Sequence, residues 1–497
     1  MKQIFAIGML ALAVDSVAMQ RSVAAPTQPK GDTAARIERI VKGLRPKIEI
    51  EGAPVRWSLE QRMAAYKAPA VSMAIIDGGR IIWAQAFGVQ RIGGMERVSA
   101  TTLFQAGSVS KAITASAMLR LVDKGTLSLD ANVNSYLTSW KLPENEFTRQ
   151  EPVTLRRLAN HTGGTTVSGF AGYEVGAPRP TLPELLEGKA PSNSAPVRVD
   201  TLPGKAFRYS GGGTTVMQQV LIDVTSVPFE TLLQREVLGP LGMKRSAFDQ
   251  PLPAALLSDA AQGHEKDVPV KGGSRVYPEL GAAGLWSTPT DLATWAIAMR
   301  DAMTGRSTTF LSQKTAAQII GSAVPGRSAD ERIGLGVFLN GSGDNLGFSH
   351  DGQTEGFVTE VRMSLKSGQG VAIMINMGEG GVGLLREILL AIGAEFGWPE
   401  SDTKKIKLVA VDPSLLDPFT GTYAVYNFAG RFLPRIVREG THFFVEGWGV
   451  RRELYPQSPS TFIRDDGTPY AFARDAEGRV IMIIGAGTRG VSGIRQP

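Results

Sequence analysis

The chain has 497 residues, of which 43% are hydrophobic and 20% charged, and its formal net charge is +6. This length exceeds what one hydrophobic core usually organises, so we expect two domains. The basic residues are scattered, which favours a solvated surface over a nucleic-acid-binding one. The chain contains no cysteine, which excludes disulfides, thiolate catalysis and cysteine-ligated metals.

The first 25 residues have the pattern of a secretory signal peptide. Lys2 precedes the apolar run IFAIGMLALAV, and small residues with candidate cleavage sites follow it. The run is too short for a comfortable membrane span, and we find no other stretch of about twenty apolar residues. The sequence therefore predicts an exported protein, periplasmic or secreted, with no stable membrane anchor.

The next part of the chain, residues 26–400, has strand patterns at its two ends and helical patterns between them. Such an arrangement predicts an α+β domain whose sheet brings both ends of the segment together. In chain order, the patterns predict helices at 32–44, from about Ser58, and at 108–124, a hairpin at 70–89, strands at 333–340, 356–365 and 370–376, and a final helix at 387–398.

The pattern changes after a charged, proline-containing linker at 401–415. Residues 416–497 contain short alternating strands and no helical pattern, with turns at Glu439-Gly440, Asp466-Gly467 and Glu477-Gly478. This predicts a small antiparallel β domain at the end of the chain.

The stretch GSVSKAITA, residues 107–115, holds a possible catalytic pair. Ser108 and Lys111 are three residues apart, which places them on one face of a helix. A serine hydroxyl becomes a good nucleophile when a neighbour takes its proton, and a buried lysine with a lowered pKa can do so. The spacing alone is weak evidence, because Ser401 and Lys404 repeat it inside the predicted linker.

The surroundings of Ser108 make the pattern specific. The segment TTLFQAGSVSKAITASAMLRLVDKGTLSLDANVNSYL resembles the class C β-lactamase-like and penicillin-binding-protein-like serine hydrolases around their nucleophile. The blocks VTLRRLANHTGG, LPGKAFRYSGGGTTVMQQVL, GAAGLWSTPTDLA and FSHDGQTEGF follow in that family's order. The resemblance implies a β-lactamase/transpeptidase-like fold, and the β tail resembles the lipocalin-like barrel that many of these hydrolases carry.

The resemblance also implies a role for each matching residue. Ser108 would be the nucleophile, Lys111 its base, and Tyr209 the group that passes a proton to the leaving group. His350 and Gly352 match the third motif of the family, and the backbone N–H groups of Ser108 and Gln353 would form the oxyanion hole.

Two departures from the family pattern bear on the substrate. The tyrosine motif is usually Tyr-x-Asn, whereas here Gly211 takes the place of the asparagine, and His350 replaces the usual lysine of the third motif. Both weaken the case for an efficient β-lactamase, and the His-x-Gly form resembles D-aminopeptidases and related peptidases or esterases.

We therefore expect an exported serine hydrolase that acts through a Ser-Lys-Tyr acyl-enzyme mechanism on small peptides, amides or esters, with D-residue peptides favoured. The alternatives are an esterase or weak β-lactamase, a non-catalytic binder of penicillins or cell-wall peptides, and a ligand carrier in the β domain. Four isolated histidines give no metal-ligand spacing, and the glycines at 211–213 do not form a nucleotide loop. We expect no cofactor, no metal and no nucleic-acid partner, while homo-oligomer formation stays open.

Overall fold

A computed structural model describes residues 31–326, 331–401, 403–427, 430–447, 450–485 and 491–496. The predicted signal peptide, residues 1–25, lies outside the described residues. None of the helices in this part of the chain combines the length and apolar character that a bilayer span requires.

Thirteen α-helices occur among the described residues, all of them before residue 400. They are α1 (Gly31–Val41), α2 (Leu59–Tyr66), α3 (Val109–Asp123), α4 (Glu146–Gln150), α5 (Leu155–Ala159), α6 (Leu182–Glu187), α7 (Gly211–Thr225), α8 (Phe229–Leu233), α9 (Ala254–Leu257), α10 (Leu280–Ala283), α11 (Pro289–Met303), α12 (Gln313–Gly321) and α13 (Glu379–Phe396). A π-helical turn lies at Gln234–Leu238, and short 3₁₀ turns lie at Val133–Ser135, Gly343–Asn345, Pro399–Ser401, Pro413–Leu415 and Asp417–Phe419.

The described strands fall into a first group before residue 407 and a second group after residue 420. The first group is β1 (Ile48–Ile50), β2 (Ala70–Asp77), β3 (Arg80–Gly88), β4 (Phe104–Gln105), β5 (His264–Glu265), β6 (Val268–Pro269), β7 (Trp286–Ser287), β8 (Val324–Pro325), β9 (Glu331–Ile333), β10 (Phe338–Asn340), β11 (Gly347–Thr354), β12 (Phe357–Ser364), β13 (Gly370–Ile375) and β14 (Lys404–Ile406). The second group is β15 (Gly421–Asn427), β16 (Gly430–Phe432), β17 (Arg435–Glu439), β18 (His442–Gly447), β19 (Val450–Pro456), β20 (Thr461–Arg464), β21 (Pro469–Arg474), β22 (Val480–Ile484) and β23 (Val491–Arg495).

The α+β domain is built on one antiparallel sheet of eight strands in the order β3-β2-β13-β12-β11-β10-β9-β8. Its early strand β2 pairs with the late strand β13, so the sheet joins the two ends of the domain, as the sequence predicts. Alternate residues of these strands face two hydrophobic clusters. One cluster packs under α1, α2 and α13, and the other packs under α3, α7 and α11.

Two of the predicted elements differ from the structure. Residues 333–340 are not one strand, because β9 and β10 pair with each other and the chain turns between them, with Gly336 at φ +79°. Only a residue without Cβ takes that backbone angle readily. The last helix, α13, begins at Glu379, eight residues before the predicted start, because the glycine-rich stretch that precedes position 387 also adopts the helix.

The second group of strands closes into a small antiparallel barrel. β15 pairs with β17 on one side and with β23 on the other, so the eight strands β15 and β17–β23 form a closed ring. Aromatic rings fill its interior, and Phe443, Phe462 and Phe472 lie within 4.9–5.8 Å of one another, centroid to centroid. The prediction of an α+β domain followed by a small β-barrel is confirmed.

The segment between the two domains contains a strand that the sequence analysis does not predict. β14 pairs in parallel with β1 near the start of the domain, with Ile406 opposite Ile50. Ile48, Ile406 and Ile463 then form a small buried cluster that joins β1, β14 and the barrel strand β20.

Candidate active site

Helix α3 places Ser108 at its amino-terminal end. Twelve of the fifteen helical residues are buried, which makes α3 the central helix of its domain. The hydroxyl of Ser110 fixes the start of this helix, since it donates to Gly107 O at 2.6 Å and accepts from Leu285 N at 3.0 Å. Ser110 is thus a structural neighbour of Ser108, and the Ser108 hydroxyl makes no capping bond to the helix.

Lys111 lies one turn along α3 and points back at Ser108. Its Nζ donates to Ser108 Oγ at 2.9 Å and to the carbonyl oxygen of Ala282 at 2.8 Å. The side chain is buried, and this burial lowers the pKa of the amine to about 7, while the charge of Asp351 acts in the opposite direction. The two predicted residues are therefore brought together, and a large fraction of the amine is neutral at physiological pH.

The carbonyl oxygen of Ala282 belongs to α10, which other side chains hold in place. Thr114 Oγ1 donates to Gly281 O at 3.0 Å, and Gln218 Oε1 accepts from Gly281 N at 2.8 Å. Gly211 replaces the asparagine of the family's tyrosine motif, so this position has no amide side chain that could hold the lysine. In the structure, Lys111 has a backbone acceptor from α10 as well as the Ser108 hydroxyl.

Tyr209 lies two residues before the start of α7 and packs against the same lysine. Ser210 caps this helix by accepting from Gly213 N at 2.8 Å, and its own N–H donates to Nδ1 of His161. The Tyr209 ring lies 4.5 Å from the His161 ring, centroid to centroid, and 5.2 Å from Lys111 Nζ. The tyrosine is thus held between α7 and the loop containing His161, with one face of its ring toward the amine.

Strand β11 brings the third motif to the start of α3. β10 pairs only with the first three residues of β11, Gly347–Ser349. The rest of β11 has no strand partner on that side, and this edge faces α3. A Cβ built on Gly107 would lie 2.7 Å from Gln353 N, and a Cβ built on Gly352 would lie 3.1 Å from Ser108 N. These approaches place the backbone amides of Ser108 and Gln353 side by side and require glycine at both positions.

His350 is buried in the middle of β11. Its Nδ1 lies 2.7 Å from the carbonyl oxygen of Asp351, and its ring lies 5.1 Å from the ring of Phe338. Since a carbonyl oxygen only accepts, Nδ1 carries the hydrogen, and in the neutral ring Nε2 is then an acceptor.

Three contributors to this site carry no signal in the isolated sequence. Ala282 acts through its backbone, Ser110 resembles any helix-start serine, and Phe338 is one apolar residue of a strand. The Phe338 ring packs against both Tyr209 and His350, with its centroid 6.3 Å from the Tyr209 ring. The described part of the chain contains no cluster of three or more histidine or acidic side chains that could hold a metal ion.

Comparison with known proteins places this site in a family. The Beta-lactamase family model matches residues 56–393, a span that contains α3, α7 and β11. The chain is 23% identical over 320 residues to the D-alanyl-D-alanine-carboxypeptidase/endopeptidase AmpH of Escherichia coli K12, a match that covers 62% of this chain and 79% of the relative.

Solved structures show the same fold over both domains or over the first alone. The octameric penicillin-binding protein homologue from Pyrococcus abyssi aligns with a TM-score of 0.60 at 20% identity and covers 87% of this chain and 98% of its own. The D-alanine carboxypeptidase AmpC from Burkholderia cenocepacia aligns with a TM-score of 0.51 at 20% identity, and the match covers 67% of this chain and 96% of the carboxypeptidase. The chain belongs to the β-lactamase family and is a serine hydrolase of the class C β-lactamase-like and penicillin-binding-protein-like group.

Proposed function

We propose that this protein is an exported hydrolase that forms an acyl-enzyme at Ser108 and acts on small peptides, amides or esters, with D-residue peptides favoured. The observation that carries the proposal is the 2.9 Å hydrogen bond between Lys111 Nζ and Ser108 Oγ. Burial lowers the pKa of that amine to about 7, so about half of the lysines are neutral at pH 7 and able to accept a proton.

The first half of the reaction forms the acyl-enzyme. Lys111 accepts the hydroxyl proton as Ser108 Oγ attacks the substrate carbonyl carbon, and the N–H groups of Ser108 and Gln353 bind the oxygen that becomes negative. The amino-terminal end of α3 adds a favourable dipole at the same place. Tyr209 passes the proton taken up by Lys111 to the amine or alcohol, which leaves as its bond to the carbonyl carbon breaks.

The second half releases the acyl group. A water molecule attacks the ester carbonyl as the same residues move a proton from the water back to Ser108 Oγ. His350, with Nε2 as an acceptor in its neutral form, offers a hydrogen-bonding group to the substrate beside the oxyanion site.

The preference for D-residue peptides is supported by two lines of reasoning. The His-Asp-Gly motif at 350–352 resembles that of D-aminopeptidases. Two of the similar proteins are named D-alanyl-D-alanine-carboxypeptidase/endopeptidase and D-alanine carboxypeptidase.

Hydrolysis of D-alanine and L-alanine p-nitroanilides by the purified protein tests the proposal. We expect turnover of the D compound that disappears in Ser108→Ala and persists in Ser401→Ala, which alters the second Ser-x-x-Lys sequence. Turnover that survives in Ser108→Ala would place the nucleophile elsewhere. Identification of the amino terminus of protein recovered from the periplasm or medium tests export, with cleavage expected by residue 25.

A second candidate function is favoured by Gly211, which stands where the family usually has an asparagine. Under this alternative, the protein is a penicillin or cell-wall peptide binder that acylates without turnover. A fluorescent penicillin that labels Ser108 stoichiometrically and is not released, with no hydrolysis of peptides or esters, would favour the binder over the hydrolase.

A further inference from the structure

A cavity of about 1120 Å³ lies between the α+β domain and the barrel. One wall is formed by β1, α2 and α13, and the opposite wall by the barrel strands β19–β21. Gln353 of strand β11 also lines it. The cavity therefore reaches the strand that supplies one of the two proposed oxyanion donors.

The register of the sheet shows how Gln353 takes part in both places. Gln353 pairs with Val358, which pairs with Ile375, and both apolar side chains pack in the cluster under α13. Since paired residues point to the same face of a sheet, the Gln353 side chain lies on the α13 face. Its backbone nitrogen lies beside Gly107 at the start of α3. Gln353 therefore contributes its N–H to the proposed oxyanion site at the edge of the sheet and its side chain to the cavity on the α13 face.

The lining combines charged and aromatic side chains. It contains six basic, five acidic and five aromatic residues, together with ten aliphatic ones. Several charges are paired along the walls, as in Arg62–Glu387 at 2.6 Å and Arg452–Asp465 at 3.0 Å. A hydrocarbon chain would remove water from these groups without replacing its hydrogen bonds, which is unfavourable.

A peptide suits this lining better than a lipid. Its backbone supplies a donor and an acceptor at almost every residue, and its side chains can pack against the aromatic walls.

We propose that this cavity binds the part of a peptide substrate that extends away from the bond cleaved at Ser108. The inference rests on the proposed function, because the bound segment is the continuation of a chain whose scissile carbonyl lies at Ser108. Under this proposal the barrel makes the enzyme selective for substrate length.

Arg386 lies at the boundary of the two domains, 3.8 Å from Asp466 of the barrel, and its side chain is 63% exposed.

The test compares a short and a long substrate, D-Ala-D-Ala and a pentapeptide that ends in D-Ala-D-Ala, in the full-length protein. Val55→Trp narrows the cavity at a residue that is 40% exposed, and Arg386→Ala removes a wall contact. The matched controls are Val268→Trp, at an exposed valine outside the lining, and Arg91→Ala, at an exposed arginine with one ion pair at 4.0 Å.

We expect KM for the pentapeptide to rise about tenfold in both cavity variants, with kcat and dipeptide hydrolysis unchanged and both controls like the wild type. Equal KM values for the pentapeptide in the cavity variants and the controls would overturn the inference.

Binding separates this inference from the proposed function. In the Ser108→Ala background, fluorescence anisotropy with a labelled pentapeptide measures binding without hydrolysis. If the cavity variants weaken binding while the unsubstituted protein hydrolyses neither peptide, the proposed activity fails and the peptide site stands. If no binding is detected, the inference is wrong whatever the hydrolysis shows.

Discussion

The buried amine of Lys111 makes a quantitative prediction about stability. Burial lowers its pKa from 10.5 to about 7. At 1.36 kcal/mol for each tenfold change in proton affinity, holding the charged form in the folded protein costs ~5 kcal/mol relative to the unfolded chain. Lys111 should therefore lower the stability of the fold at acidic and neutral pH.

The sign of the pH dependence follows from the same values. Between pH 7 and 10.5 the unfolded chain holds this proton and the folded protein has released it, so the free energy of unfolding rises with pH in that window. The full destabilisation applies below pH 7. From pH 6 to pH 9, the Lys111 contribution to the free energy of unfolding should become more favourable by about 2.5 kcal/mol.

Lys111→Met removes this contribution and keeps an unbranched apolar side chain of similar length. The measurement is denaturant unfolding of both proteins at pH 6, 7, 8 and 9, followed by tryptophan fluorescence. Six of the seven tryptophans precede residue 400, so the signal reports mainly on the hydrolase domain. Groups common to both proteins cancel in the difference between the two curves.

We expect the Met variant to be inactive and to be more stable than the wild type at pH 6, with the gap narrowing by about 2–3 kcal/mol toward pH 9. A gap that does not change with pH would show that the Lys111 pKa is ordinary. Neutral-amine catalysis at Ser108 would then lose its physical basis.

Two further predictions concern the site, and a third concerns Glu279, a buried residue that directly precedes α10. Tyr209→Phe keeps the ring contacts with His161 and Phe338, so we expect kcat for amides to fall by about 10²–10⁴ and kcat for an ester with a good leaving group to fall much less. Gly352→Ala places a Cβ against Ala106 O and 3.1 Å from Ser108 N. We expect kcat/KM to fall about 100-fold, whereas the same change at Gly321, which has open space around it, should leave kcat/KM unchanged. Burial raises the pKa of Glu279 to about 7, so its contribution to stability is present below pH 4.5 and is lost as pH rises through 7. In urea titrations, the free energy of unfolding of Glu279→Gln minus that of the wild type should therefore be larger at pH 8 than at pH 5 by up to about 3 kcal/mol. A difference that does not change with pH would contradict this.

The fold and the central pair could be predicted because their signals are local. Ser108 and Lys111 lie three residues apart in a helix, and the hairpin of β2 and β3 has two apolar runs around Gly78-Gly79. The blocks of resemblance then located Tyr209 and His350 in the chain. The distances between these residues depend on the packing of α3, α7 and β11, which no local pattern contains.

Strand β11 shows why part of the site escapes sequence analysis. Its sequence, GFSHDGQT, contains two glycines and an aspartate, which are poor strand formers. Pairing with β12 along its whole length outweighs these propensities. The close contact with the start of α3, rather than strand propensity, explains the residues of β11. At Gly352, for example, any side chain would meet the backbone of Ala106.

The parallel pairing of β1 with β14 has a consequence for how this architecture can change over evolutionary time. Ile48 comes from the beginning of the hydrolase domain, Ile406 from the connecting segment and Ile463 from the barrel, and the three are buried together. A gene truncation that ended the chain near residue 400 would leave β1 as an unpaired strand with two exposed isoleucines, a surface prone to self-association. Loss or exchange of the barrel would therefore require matching changes at the other end of the gene, so the two domains are expected to be inherited as one unit.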